Sequence, residues 1–308
     1  MPTQTVKPQD TKTKSLFSAG HRGCAGCGQA IAARAVVDAL GPNTIIANAT
    51  GCLEVTTTPY PESAWGVPWI HSLFENAAAI ASGILAALKQ QGKDKTVKVV
   101  AQGGDGSTFD IGFGLISGMW ERGENILYVC YDNEAYSNTG MQASGATPAG
   151  ANTTTTPVAL GEEVGAVGAR QQKKDMIAIA LAHKVPFVAQ STIGYLNDIS
   201  AKVKKALTIE GPGYLQIMVP CIPGWGIKPD QALVLGRLGA QSGLYPVLEF
   251  TNGELTGKLK VPATPPSVEE YLKPQSRYAH LFKTDAGKKQ IAAIQQIADQ
   301  NIAKYGLK

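Results

Sequence analysis

Charge is sparse in this chain. Asp, Glu, Lys and Arg make up 17% of its 308 residues, with a formal net charge of +4. No run of Lys and Arg concentrates that excess, so a nucleic-acid partner is not expected. A mildly basic surface favours acidic partners only weakly. Long apolar runs are missing as well. "NAAAIASGILAALKQQ", residues 76–91, comes nearest, and it falls short of the ~20 uninterrupted apolar residues that a membrane-spanning helix needs. The opening MPTQTVKPQDTKTK lacks the apolar centre of a secretory signal. These absences predict a soluble, cytoplasmic protein. The cysteine count is odd, at five, which argues against a secreted disulfide framework. No ferredoxin-type CxxCxxCxxxC run is present, and no internal repeat.

What is present suits a compact cofactor-binding enzyme: 44% hydrophobic residues and 34 glycines, enough for a sizeable core. Short β-branched runs at 44–49, 97–102, 126–131, 185–190 and 214–219 predict buried strands. Helical patterns at 29–40, 75–91, 110–121, 171–183 and 195–209 lie between them, with Glu75-Asn76 and Asn197-Asp198 as expected N-terminal caps. This alternation predicts an α/β fold with a mostly parallel sheet covered by helices on both faces. Three regions are expected: a polar arm over 1–18, a cofactor-binding domain over 19–225, and a C-terminal extension over 226–308. The extension should end in a helix over 286–304 and wrap the domain or reach a partner. Residues 133–170 read as a long polar loop, and loops of that length are usually functional.

"VKVVAQGGDGSTFDIGFG" is a strand that breaks into glycines around one aspartate and then enters a helix. Ligands of open parallel sheets bind beyond such strand ends. Gly104 and Gly106 would let backbone N–H groups approach phosphate oxygens at a helix N-terminus. Asp105 would hold a hard cation such as Mg2+ beside them. The next strand ends in Asp132-Asn133, at a distance that fits one helix and one strand. Asn133 would add a neutral oxygen and the Ala135 carbonyl a third, a pattern that resembles the diphosphate–Mg2+ motif of thiamin-diphosphate enzymes.

"HRGCAGCGQ" supplies Cys24 and Cys27, "ATGCLEV" Cys52 and "VPCIPGWG" Cys221. Four thiolates suit tetrahedral zinc or a [4Fe–4S] cluster equally well by count. Structural zinc normally stabilises a small domain that lacks a core, whereas these four are spread from Cys24 to Cys221 of a well-cored chain. A cluster beside a thiamin site also makes chemical sense, because it accepts electrons singly. Cys130, mid-strand among apolar residues, reads as core packing.

Together with "WGVPWIHSLFENAAAIASGI", "YDNEAYSNTGMQASGATPAGANTTTTP" and "GLYPVLEFTNGEL…PSVEEYLKPQSRYAHL", these motifs resemble the β subunit of the 2-oxoacid:ferredoxin oxidoreductases, in the pyruvate branch, from Gly20 to about Phe282. The resemblance implies a thiamin-diphosphate-binding fold with an N-terminal cluster segment. It implies [4Fe–4S] ligation by Cys24, Cys27, Cys52 and Cys221, and Mg2+ held by Asp105, Asn133 and Ala135. Cofactor contacts are implied at Gly51, Gly104, Gly106 and Gln29, with Asn138 facing the reactive ring and substrate. Gln29 stands where many members have Glu, and "YSNTG" replaces the commoner "YMNTG".

The implied reaction is oxidative decarboxylation of pyruvate to acetyl-CoA and CO2, with electrons passed to ferredoxin. The carboxylate that activates thiamin would come from an α subunit, since Glu54, two residues after Cys52, is not assigned that role. Further clusters would sit on γ and ferredoxin-like δ partners. "WGVPWIHSLF" is the expected interface, although Trp65, Trp69 and Phe74 also suit a core. Three alternatives stay open here: an oxalate oxidoreductase subunit independent of coenzyme A, a non-redox thiamin decarboxylase or ligase, and a non-enzymatic electron-transfer subunit.

Overall fold

Eight strands form one sheet: β1 (Thr44–Asn48), β2 (Trp69–His71), β3 (Lys98–Gly104), β4 (Leu127–Asp132), β5 (Phe187–Thr192), β6 (Gly213–Met218), β7 (Leu248–Thr251) and β8 (Glu254–Lys258). The computed structural model describes residues 15–158 and 168–308. Residues 1–14 of the expected polar arm and 159–167 of the expected long loop lie outside the described residues. The sheet order is β2-β1-β3-β4-β6-β5-β7-β8. The first six strands run parallel. β7 pairs antiparallel with β5 and turns back into β8.

Every residue of β4, β5 and β6 is buried, as expected of unbroken apolar runs covered on both faces. The helices follow in chain order: α1 (Gly28–Leu40), α2 (Cys52–Thr57), α3 (Ala77–Gln90), α4 (Phe113–Glu121), α5 (Met176–Ala182), α6 (Leu196–Ala206), α7 (Ile222–Trp225), α8 (Ala232–Gln241), α9 (Val268–Leu272) and α10 (Asp285–Tyr305). The inner faces of α3, α4 and α5 build one core, which includes the fully buried Cys130, and those of α1 and α6 build the other. A third apolar cluster ties Trp225 to Tyr271, Tyr278 and α10. The expected mostly parallel α/β sheet is what the chain forms.

Local differences have local causes. The helix expected over 110–121 begins earlier, as a π-helical turn over Gly106–Ile111, before α4 takes over. The helix expected over 171–183 shortens to α5, which Asp175 caps by accepting from Ala178 N at 2.9 Å. Asn76 does occupy the N-cap of α3, but its side chain accepts from Leu73 N instead of a helix amide. Asn197-Asp198 is not a cap. It lies inside α6, entered through a turn that Thr192 caps, and Asp198 instead pairs with Lys202 at 2.6 Å. The segment after Trp225 extends the sheet by two strands as well as ending in α10. Among the described residues no helix is long and apolar enough to cross a membrane.

Candidate functional site

Because six strands are parallel, the segments after β1, β3, β4 and β6 emerge at one edge. Asp105 follows β3 and is almost fully buried. Its Oδ1 accepts from Asn133 N at 3.2 Å, and its Oδ2 accepts from the Ser144 hydroxyl. Burial pushes its carboxyl up to about 8, the nearby Asp132 charge pushes the same way, and the Ser144 hydrogen bond opposes both. A carboxylate held like this gains from a cation.

The Asn133 amide shows where one would sit. In one orientation its nitrogen donates to Asp105 Oδ1 (3.1 Å), the Ala135 carbonyl (2.7 Å) and Ser137 Oγ (2.8 Å). Turned over, Oδ1 takes that place and accepts from Ala135 N at 3.3 Å and Ser137 Oγ at 2.8 Å. Three oxygens, from Asp105, Asn133 and Ala135, then face one another, which is the ligand set a hard cation takes. Asp105, Asn133 and Ala135 thus lie together as their positions in the sequence predicted. Gly51, Gly104, Gly106 and Gln29 line the groove in front of them, with Asn138 at its rim.

Cys24, Cys27, Cys52 and Cys221 line a single neighbouring cavity of about 180 Å³. All the cysteines are free, and among the described residues no three His, Cys, Asp or Glu side chains close up tightly enough to hold a metal ion. Burial raises the thiols of Cys27, Cys52 and Cys221, that of Cys52 to about 12, and mutual repulsion among the cysteines adds to it. Helix starts work in the other direction. Cys27 precedes α1, whose Gln29 and Ala30 amides favour its thiolate. Cys221 precedes α7 and accepts from Gly224 N at 3.4 Å. Such amides are the usual partners of metal-bound sulfur. Gln29, Cys52, Leu53, Asn133, Ser137 and Asn138 line both cavities.

Several contributors escape a linear reading. Ser144 reaches Asp105 from 39 residues downstream. Tyr136 walls the groove, stacked on Phe74 and donating to Asp110 Oδ2 at 3.0 Å. Trp225 Nε1 donates to the Asn133 carbonyl at 2.8 Å. The expected interface divides: Trp65 is core, Trp69 and Phe74 are half-buried, and Ile70 and Leu73 are exposed at 43% and 57%.

A strand-end acid-and-amide site of this shape belongs to a class. Residues 49–217 match the family described as thiamine pyrophosphate enzyme, C-terminal TPP binding domain, so the chain carries a thiamin-diphosphate-binding domain. Over nearly its full length it is 50% identical to the pyruvate synthase subunit PorB of Methanosarcina barkeri (96% of this chain, 99% of that protein). It is 52% identical to the subunit of that name from Methanocaldococcus jannaschii (96% and 97%). Identity to the ketoisovalerate oxidoreductase subunit VorB of Pyrococcus abyssi is 38% (90% and 92%). The chain belongs to the PorB family of oxidoreductase subunits. The solved 2-oxoglutarate:ferredoxin oxidoreductase of Magnetococcus marinus shares the fold, at a TM-score of 0.57 and 22% identity, over 93% of this chain and 97% of that one.

Proposed function

We propose that this chain is the subunit of a cytoplasmic pyruvate:ferredoxin oxidoreductase that carries thiamin diphosphate, Mg2+ and one [4Fe–4S] cluster. The observation that carries the reading is the shared wall. Six residues line both the groove of Asp105 and the cavity of the four cysteines, so an electron leaving one site has only a side chain to cross to the other. A lone zinc fits the cysteine cavity less well. Such an ion normally stabilises a small domain that lacks a core, and this chain has ample core.

Bound thiamin diphosphate supplies a nucleophilic carbon that takes up electrons as CO2 leaves a 2-oxoacid, and a cluster removes electrons one at a time. The chain's own residues do the holding. Asp105, Asn133 and the Ala135 carbonyl would hold the cation beside the diphosphate. Gly51, Gly104 and Gly106 keep the groove wall low, and the neutral Gln29 adds no charge between the two sites. Asn138, exposed at the rim of both cavities, presents its amide to the reacting atoms as a hydrogen-bonding group.

Asp105 is the one carboxylate among the described residues lining either cavity, and it is committed to the cation. The acid that activates the cofactor therefore comes from an α subunit. Among the described residues the outer edge of β2 is unpaired, and that edge, with exposed Ile70 and Leu73, is the docking face, since an open strand edge invites pairing. Further partners are γ and ferredoxin-like δ chains, coenzyme A and ferredoxin. Pyruvate is favoured as substrate because the relatives at 50% and 52% identity carry that name, and the ketoisovalerate relative stands at 38%.

The test is the purified complex assayed with pyruvate, 2-ketoisovalerate, 2-oxoglutarate and oxalate, with and without coenzyme A. Pyruvate turnover that requires coenzyme A, and visible absorbance bleached by dithionite, are expected. Turnover of oxalate without coenzyme A would replace the substrate assignment. A colourless complex with bound thiamin would replace the redox reading by decarboxylase or ligase chemistry.

A further inference from the structure

The two proposed cation ligands after β4 alternate with two buried acids. Asp132 and Glu134 flank Asn133, and Glu134 separates it from Ala135. All four residues are at most 8% exposed, and Glu134 adopts a left-handed φ of 66°, strained for any residue with a β-carbon. A ladder of charges holds this run. Lys173 pairs with Asp132 at 2.6 Å and with Glu134 at 2.9 Å. Arg277, from the C-terminal segment, pairs with the other Glu134 oxygen at 2.6 Å.

Each end of the ladder is itself anchored. Gln216 donates to Asp132 at 2.8 Å, and Arg277 Nε donates to Gln275 at 2.9 Å. The guanidinium lies 3.9 Å from the centre of the Trp225 ring, the same ring whose N–H holds the Asn133 carbonyl. Burying Asp132, Glu134 and Arg277 beside a half-buried Lys173 costs several kcal/mol for each buried ion, and such pairs are weak evidence of net stabilisation. Their placement on either side of the ligands gives them another use.

We propose that Arg277 and Lys173 are positioning residues, which act through Glu134 and Asp132 to keep the Asn133 amide and the Ala135 carbonyl in register with Asp105. This rests on the thiamin–Mg2+ reading above. It makes the C-terminal segment part of the cation site although no residue of that segment lines the groove.

The test is the assembled complex carrying Glu134→Gln with Arg277→Met. That pair removes the clamp and leaves the net charge unchanged, so the field at the cation stays balanced. The readouts are the Mg2+ concentration needed to retain thiamin diphosphate through gel filtration, and the melting temperature. Loss of an outer partner of a metal ligand typically weakens the metal about 10–100-fold, and a rise of that size in the Mg2+ requirement is expected. Arg277→Met alone separates position from field, because losing a cation by charge alone would tighten Mg2+. Lys202→Met is the control. It breaks the pair of a buried lysine with the half-buried Asp198, which touches no groove residue, and should lower the melting temperature without moving the Mg2+ requirement.

A double variant with the wild-type Mg2+ requirement overturns the proposal, whatever its melting temperature. Should the double variant fail to assemble, Arg277→Lys decides. It keeps the charge but cannot reach Glu134 and Gln275 at once, and a wild-type requirement there overturns the proposal equally. A wild-type complex that retains no thiamin diphosphate at any Mg2+ concentration would instead sink the functional reading on which this stands.

Discussion

The two glycines that flank Asp105 should fail in different ways when each is replaced by alanine. A β-carbon on Gly106 would fall less than 3.0 Å from three Tyr136 ring atoms. That ring cannot simply step aside, because it is stacked on Phe74 and its hydroxyl donates to Asp110. Displacing it forfeits a hydrogen bond to a charged group and an aromatic stack, together about 2–4 kcal/mol. For a chain of this length that is roughly 4–8 °C of melting temperature. A β-carbon on Gly104, by contrast, meets nothing of the protein nearer than Tyr131 O at 3.9 Å, and Gly104 lines the groove. Gly104→Ala should therefore melt within about 1 °C of wild type. Its retention of thiamin diphosphate should fall by about tenfold or more, because the methyl occupies space meant for the diphosphate, and tenfold is ~1.4 kcal/mol. Differential scanning fluorimetry and equilibrium dialysis of the complex read the two quantities separately. Undiminished retention in Gly104→Ala would show that the diphosphate does not lie in this groove. An unshifted melting temperature in Gly106→Ala would show that Tyr136 is not the rigid wall described here.

Iron content tests the cysteine assignment: Cys52→Ala should lose cluster iron, while Cys130→Ala, buried in the core, should keep it and lose only about 1 kcal/mol of stability. Equal iron in the two variants would contradict the ligand set. The pH dependence follows from Asp105, whose carboxyl sits near 8 in the unloaded chain. A cation must expel that proton, so the Mg2+ requirement should fall as pH rises from about 6 to 8, by at most about tenfold per unit, and Asp105→Asn should flatten the slope. In the unloaded chain the sign for folding is opposite: a carboxyl raised above its unfolded value binds more protons when folded, so its contribution to stability is lost as pH climbs toward 8.

Much of the framework was readable because its signals are local. The five strand runs that the sequence predicts each lie within about two residues of an observed strand, since a fully buried parallel strand is a short apolar block bounded by turns. Strand β2 was not readable. Three residues, Trp69–His71, are too few to show a period, and their aromatic character suits an interface as well as a sheet. β7 and β8 were hidden inside what reads as an extension. They pair antiparallel at the far edge of the sheet, with β8 largely exposed, so no continuous apolar block marks them. The Asn197-Asp198 cap failed for a physical reason: a 3-10 turn capped by Thr192 had already started the helix, leaving Asp198 free to pair with Lys202.

The site divides along the same line. Asp105, Asn133, Cys52 and Cys221 were legible because each comes directly after a strand, and parallel strands bring their carboxyl ends to one edge. β1, β3, β4 and β6 are neighbours in the sheet, so at about 4.8 Å per step their ends span roughly 14 Å. Residues 169 positions apart, Cys52 and Cys221, can then face one cavity once α1 lays Cys24 and Cys27 across the gap. Lys173 and Arg277 carry no such mark. They meet Glu134 from 39 and 143 residues away, and neither follows a strand of the parallel set. Their register with the acids depends on how loops pack after the sheet has formed, which the order of residues does not encode locally. β8 runs in the same sense as the parallel strands, but it stands three strands beyond β6 in the sheet, at about 4.8 Å per step roughly 14 Å farther along that edge. The C-terminal segment therefore reaches the site through side chains that brace it from behind, where a disturbance of position should appear in cation affinity before it appears in the fold.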